Sequence, residues 1–197
     1  MARLQLTQDP ASDDLFLSED PFALLTGMLL DQQIPMETAF AGPRKIVERI
    51  GGIDPPRLVA DYDPPEQFTE KFSTTPAVHR FPGSMAKRVQ DLAREIVDRY
   101  DGDAAQLWLD GNPDGAEVLR RLKPCPVSVS RRPRSSWPCW ASSTASPPKG
   151  WREAAGDYGK AGTHMSIADV VDKGGSLEEV RAYKKKMKAA AAKAKAG

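Results

Sequence analysis

Residues 124–148 read PCPVSVSRRPRSSWPCWASSTASPP, a composition found nowhere else in the chain. The segment holds six prolines, seven serines, both cysteines (Cys125, Cys139) and two of the four tryptophans, and it lacks Leu, Ile, Met, Asp and Glu. The sequence on either side has ordinary helical patterning. Inside the segment, prolines at 124, 126, 133 and 138 each remove a backbone donor and break a helix. As written, the tract is a disordered linker, too poor in apolar residues to build a core.

Two other readings compete with the linker. Cys125 and Cys139 could be metal ligands or a disulfide pair. They stand fourteen residues apart, with His79 and His164 as the only histidines, and this fits no ligand spacing. The remaining reading is translation out of frame, which the genetic code itself can test. Suppose one nucleotide is missing just before Pro124 and one is gained near Pro147. The codons of Pro124 to Val129, re-read with the base restored, permit A-L-P-G-F-G, and Ser130 to Pro133 permit x-x-K-A. Some later positions are forced: Trp137-Pro138 can give only Ala, Cys139-Trp140 only Leu, and Trp140-Ala141 only Gly. The second frame thus accommodates A-L-P-G-F-G-x-x-K-A-Q-V-L-L-A-L-L-G-K-Q, a glycine turn followed by an amphipathic helix. We adopt frame restoration as the working reading, with the linker as its rival.

The motif L-P-G-F-G-x-x-K-A resembles the helix-hairpin-helix of the HhH-GPD superfamily of base-excision DNA glycosylases. Both flanks carry the same resemblance. Asp20-Pro21-Phe22-Ala23-Leu24-Leu25-Thr26-Gly27-Met28-Leu29-Leu30-Asp31-Gln32-Gln33 is similar to the family's early buried helix, which ends in a Gln pair. Phe81-Pro82-Gly83-Ser84-Met85-Ala86-Lys87-Arg88 is similar to the Gly-led entry to its middle helix. A small bacterial branch of the family is the nearest in pattern, over most of residues 15–190. The chain as written departs from the signature, with Pro126, Ser128, Arg131 and Arg132 standing at hairpin positions. In such a hairpin, glycines let the backbone approach a phosphate, and N–H groups opening the second helix point at the anion. Those contacts position a protein on DNA without reading sequence.

The resemblance implies an all-α fold of two helical lobes with a DNA cleft between them. It implies a monomeric, monofunctional DNA N-glycosylase that binds duplex DNA and flips out a damaged base. Gln32 or Gln33 would fill the gap left by that base, or simply cap the helix end. Lys87 and Arg88 would touch phosphate, or lie on a solvated surface. Many relatives carry a four-cysteine iron–sulfur site, which two cysteines cannot supply, so no cofactor is expected. Family glycosylases use an Asp after the helix that follows the hairpin to stabilise the developing sugar cation. Its expected place falls near Lys149 to Trp151, where no Asp stands. Asp157 is the candidate, with Asp31 as a second carboxylate near the proposed pocket. Asp157 lies between glycines and has a turn reading as well. The second frame's Lys lies one position beyond the family's lyase position, which argues against Schiff-base chemistry.

Composition sets the outer bounds. The chain has 197 residues, long enough for one domain with a real core, and a net charge of +1. There is no global basic signature of nucleic-acid binding. No apolar run reaches membrane-spanning length and no signal peptide is evident, so a cytoplasmic, nucleoid-associated protein is expected. We divide the chain into an irregular, acidic lead-in (1–19), a helical domain (20–183) containing the anomalous tract, and a basic Ala/Lys tail (184–197).

Along the domain, Asp20 caps a helix with Pro21 at its first position, apolar nearly all round. A short helix from Pro43 to Ile50 closes at Gly51-Gly52. Asp54-Pro55-Pro56 and Asp63-Pro64-Pro65 each open a further helix. His79 sits before a loop, with no partner evident in the sequence. From Ser84 to Tyr100, Met85, Val89, Leu92, Ile96 and Tyr100 make one apolar stripe. Ala104 to Leu109 and Pro113 to Leu122 complete the helices leading into the tract. Ser176-Leu177-Glu178-Glu179 is a capping box opening the last helix. The lysines after it are a solvated end that could add salt-sensitive DNA affinity.

The frame reading makes a direct prediction. Sequencing the coding DNA across codons 123–149 will find an additional base before codon 124 and one fewer near codon 147. Agreement with the codons as written would mean that the chain has lost its grip on DNA and that the resemblance describes its ancestry rather than its activity.

Overall fold

The structure, a computed structural model, describes residues 15–126 and 148–160, together with Thr7 and residues 178–180, 182–183, 185–187 and 189. Every regular element among the described residues is helical, so the fold class is all-α. The elements are α1 (Leu15–Glu19), α2 (Pro21–Leu30), α3 (Met36–Phe40), α4 (Gly42–Ile50), α5 (Pro55–Ala60), α6 (Glu66–Ser73), α7 (Pro82–Tyr100), α8 (Gln106–Leu109), α9 (Gly115–Leu122), α10 (Trp151–Ala155) and a 3-10 turn, Gly156–Gly159.

Two helices organise the rest. Asp20 caps α2, its Oδ1 accepting from the Ala23 N–H at 2.9 Å, and Pro21 opens the first turn. Burial pushes the Asp20 carboxyl above its usual range, against the opposing pull of its backbone donors. Phe22 through Leu30 are all buried, so α2 is covered on every side, as its apolar run predicts. α1, α3, α4 and α7 supply that cover. Each large apolar side chain removed from water contributes about 1.5–3 kcal/mol. Gly27 lets α3 come close: a Cβ there would stand 2.6 Å from Phe40 Cδ1. The second organiser, α7, turns its predicted stripe inward, and Met85, Val89, Leu92, Ile96 and Tyr100 are all buried. α5 and α6 pack on it. Among the described residues the buried apolar side chains form one continuous cluster, from Leu17 in α1 to Val180.

Helix ends are closed by local caps and by distant arginines. Asp54 and Asp114 cap α5 and α9, accepting from the Arg57 and Glu117 N–H groups at 3.0 and 2.8 Å. Gly51 closes α4 with φ of 79°, its N–H donating to Val47 O. Arg49 of α4 reaches the C-terminal end of α6. Its guanidinium donates to the carbonyls of Lys71 (3.0 Å), Phe72 (3.1 Å) and Pro76 (2.6 Å). Arg121 of α9 does the same at the end of α8, donating to Leu107 O at 3.2 Å and Asp110 O at 3.0 Å. A cation there satisfies carbonyls that the helix leaves unpaired and opposes the negative end of its dipole.

Several expectations change. The lead-in is helical from Leu15 to Glu19, and Met36–Phe40 forms a helix with no counterpart in the sequence reading. α6 begins at Glu66 and has no side-chain cap; Asp63 instead precedes a cis peptide to Pro64. The helices before the tract are shorter than read, starting at Gln106 and at Gly115. The tract itself starts docked rather than as a loose linker. α9 stops at Leu122, as the prolines require, but Cys125 is 1% exposed and joins the core, its Sγ donating to Arg121 O at 3.5 Å. A leucine codon is what the second frame permits at this buried position. Residues 127–147, with Cys139 and most of the anomalous tract, lie outside the described residues. So does the capping-box start at 176–177 and the end of the tail.

Gly27 and Gly83 give opposite predictions in thermal melts. Gly27→Ala forces the Phe40 ring aside and is expected to cost about 1–3 kcal/mol. A methyl group at position 83 would meet open space, so Gly83→Ala gains helix propensity, up to about 1 kcal/mol. Equal shifts for the two would remove the close α2–α3 approach as a constraint.

Candidate nucleic-acid interface

The C-terminal end of α2 and the N-terminal end of α7 meet. Asp31 terminates α2, its N–H donating to Gly27 O at 3.1 Å, and its side chain is half-buried. The next residue carries the junction. Gln32 Nε2 donates back to Leu29 O at 2.7 Å, satisfying an end carbonyl of α2. Its Oε1 accepts from Arg88 Nη1 at 2.6 Å, across 56 positions of sequence. Gln33 follows with φ of 61°, a left-handed conformation uncommon for a residue with a Cβ, and it is exposed. The structure thus brings Gln32 and Arg88 together and separates the roles open to the two glutamines.

His79 closes the junction from the other side. It is 3% exposed and has two partners, contrary to the sequence reading of a histidine without one. Phe81 N–H donates to Nδ1 at 3.0 Å, and Nε2 lies 2.9 Å from Gln32 O. An amide N–H can only donate, so Nδ1 accepts and Nε2 carries the hydrogen that goes to Gln32 O. The neutral ring is therefore the form that fits. Burial depresses the His79 pKa, while the nearby Gln32 and Leu30 carbonyls pull it the other way. No local pattern marks this histidine; only the fold places a carbonyl and an amide N–H on its two nitrogens.

At the entry to α7, Pro82 and Gly83 open the helix and Phe81, 41% exposed, precedes it. Arg80 stacks over the Phe81 ring at 5.3 Å. Lys87 projects outward with 74% side-chain exposure, 3.6 Å from Asp91 Oδ2, a surface pair of small energetic worth. Lys87 therefore offers a solvent-facing cation, whereas the half-buried Arg88 is engaged with Gln32.

The remaining candidates fall elsewhere. Asp157 stands in the 3-10 turn Gly156–Gly159, consistent with its turn reading; its side chain lies outside the described residues. That turn packs on α10, and α10 packs on α9, where Gly115 admits the backbone of Trp151. Lys149, Gly150 and Trp151 occupy the place where the sequence resemblance would put an Asp, and Glu153 is exposed on α10. Pro126 is half-buried in a turn after Cys125, while Ser128, Arg131 and Arg132 lie outside the described residues. Burial pushes the Cys125 thiol up to about 11, which keeps it protonated rather than a thiolate ligand. Among the described residues no helix is long and apolar enough to cross a membrane. Comparison with the known protein families, with curated proteins and with solved structures gives no match.

The buried histidine predicts a pH dependence of stability. The folded ring binds a proton less readily than the unfolded one, whose pKa is near 6.5. The His79 contribution is thus complete above about pH 6.5 and declines as pH falls from there toward the lower folded value. Urea melts between pH 8 and pH 5.5 should show the midpoint falling, and His79→Gln should flatten that fall. A parallel fall in the variant would assign the effect to other groups.

Proposed function

We propose that the chain is a base-excision-repair DNA glycosylase-like protein of the HhH-GPD type, acting on duplex DNA. The finer architecture of two helical lobes with a DNA cleft between them belongs to this reading. One observation carries it furthest. A 2.6 Å hydrogen bond from Arg88 Nη1 to Gln32 Oε1, across 56 positions, joins the two helix ends that the resemblance nominates separately for DNA contact. The exposed Gln33 and Lys87 stand on the same two helix ends. An exposed amide to enter the stack and a cation for the backbone are the groups such an encounter needs.

In this reading the enzyme would flip the damaged nucleotide and cleave its N-glycosidic bond by hydrolysis. Positive charge develops on the sugar as the base leaves, and a carboxylate beside it lowers the barrier. Asp157 is the proposed carboxylate and Asp31 the second choice. A second reading, a non-catalytic binder of damaged DNA, is favoured by one specific feature: Lys149-Gly150-Trp151 occupies the position expected for the catalytic Asp. The chain as written could also be an inactive product in which frame disruption removed the hairpin.

Two assays separate these readings. Fluorescence anisotropy on a duplex should show the chain as written binding at least about tenfold more weakly than a frame-restored version, since the hairpin supplies phosphate contacts. Equal affinities would sink the assignment of the hairpin to the tract. Release of abasic product from lesion-containing duplexes distinguishes enzyme from binder, and Asp157→Asn should abolish it.

A further inference from the structure

We infer that Arg88 and His79 are positioning residues that act through Gln32 to present Gln33, so that Arg88 serves DNA recognition without contacting phosphate. The inference deepens the DNA-binding reading above and rests on it. Neighbouring glutamines in one sequence are equivalent candidates for entering a gap in the base stack, and the junction makes them unequal. Both functional ends of the Gln32 amide are occupied, Nε2 by Leu29 O and Oε1 by Arg88. Its backbone carbonyl is occupied too, by His79 Nε2. Gln32 is therefore fixed at three points from two directions.

The next residue bears the consequence. Gln33 leaves this fixed point in the left-handed region at φ of 61°, where a glycine would be easier to accommodate. The Gln33 side chain is exposed in a conformation that favours glycine, so the fold itself gains nothing from it and it is open to a ligand. Arg88 is differently placed from its neighbour Lys87. The Lys87 ammonium faces solvent beside Asp91, whereas the Arg88 guanidinium is half-buried and spends Nη1 on an uncharged amide oxygen. A phosphate contact and a positioning role for Arg88 predict different measurements.

The test uses the full chain and two synthetic duplexes, one intact and one carrying a stable abasic-site analogue. Affinities are measured by anisotropy over a range of salt concentrations, with thermal melts alongside. Arg88→Gln should leave the salt dependence of binding to intact duplex unchanged and reduce the preference for the abasic duplex by about tenfold, the scale of a lost hydrogen bond to a charged group. Gln33→Gly should lose the same preference with a melting temperature equal to or above that of the parent chain, which separates function from folding. Lys87→Gln should show the contrasting pattern, a salt slope shallower by about one and equal weakening on both duplexes. If Arg88→Gln instead behaves like Lys87→Gln, the positioning role is overturned and Arg88 is a phosphate contact. If Gln33→Gly keeps the preference, Gln33 is not the presented residue. Absence of any duplex binding at low salt by both the chain as written and its frame-restored version would overturn the DNA reading itself, and this inference with it.

Discussion

The complete burial of α2 is the constraint on which the other helices depend. A helix apolar on one face needs one partner; a helix apolar all round must be enclosed. Phe22 through Leu30 leave no solvated side, so α1, α3, α4 and α7 are all recruited around a single element. Close packing then fixes details. Gly27 admits the Phe40 ring, and Gly42 at the start of α4 sits where a Cβ would meet Leu30. Helices held this near cannot slide without opening a void or a clash.

Enclosure also decides where polar groups are met. A buried helix must still end, and its last carbonyls need donors. At α2 one comes from the Gln32 side chain, while His79 donates to the Gln32 carbonyl just beyond the helix; at α6 and α8 they come from Arg49 and Arg121. The same device therefore recurs at three helix ends. At two of them it is purely architectural, an arginine neutralising a helix terminus. At the end of α2 it also couples the terminus to the opening of α7, and so to the exposed residues on both sides. Satisfying backbone hydrogen bonds and placing Gln33 and Lys87 at the surface are one problem at that junction.

Cys125 shows how the anomalous tract meets this core. A segment of its composition should have no stake in the interior, yet its second residue is buried, and desolvation keeps its thiol protonated. The core thus extends to the point where the composition changes. A free thiol behaves as a small hydrophobe, which suits this buried position.

Local rules are enough to specify the start of α2 at Asp20-Pro21, the cap at Asp54, the glycine stop at Gly51 and the inward stripe of α7. Those features depend on residues three or four apart, so the amino-acid sequence carries them openly. The start of α6 misleads for the same reason in reverse: Asp63-Pro64-Pro65 has the local look of a cap, but the helix begins at Glu66 with no side-chain cap. The roles of His79, Arg49 and Arg121 are legible only in the folded molecule, because each is defined by a carbonyl or amide that the fold delivers to it. The distinction between Gln32 and Gln33 belongs to the same class. Two identical neighbours are equal under any local rule, and what separates them is contributed by His79 and Arg88, 47 and 56 positions away from Gln32.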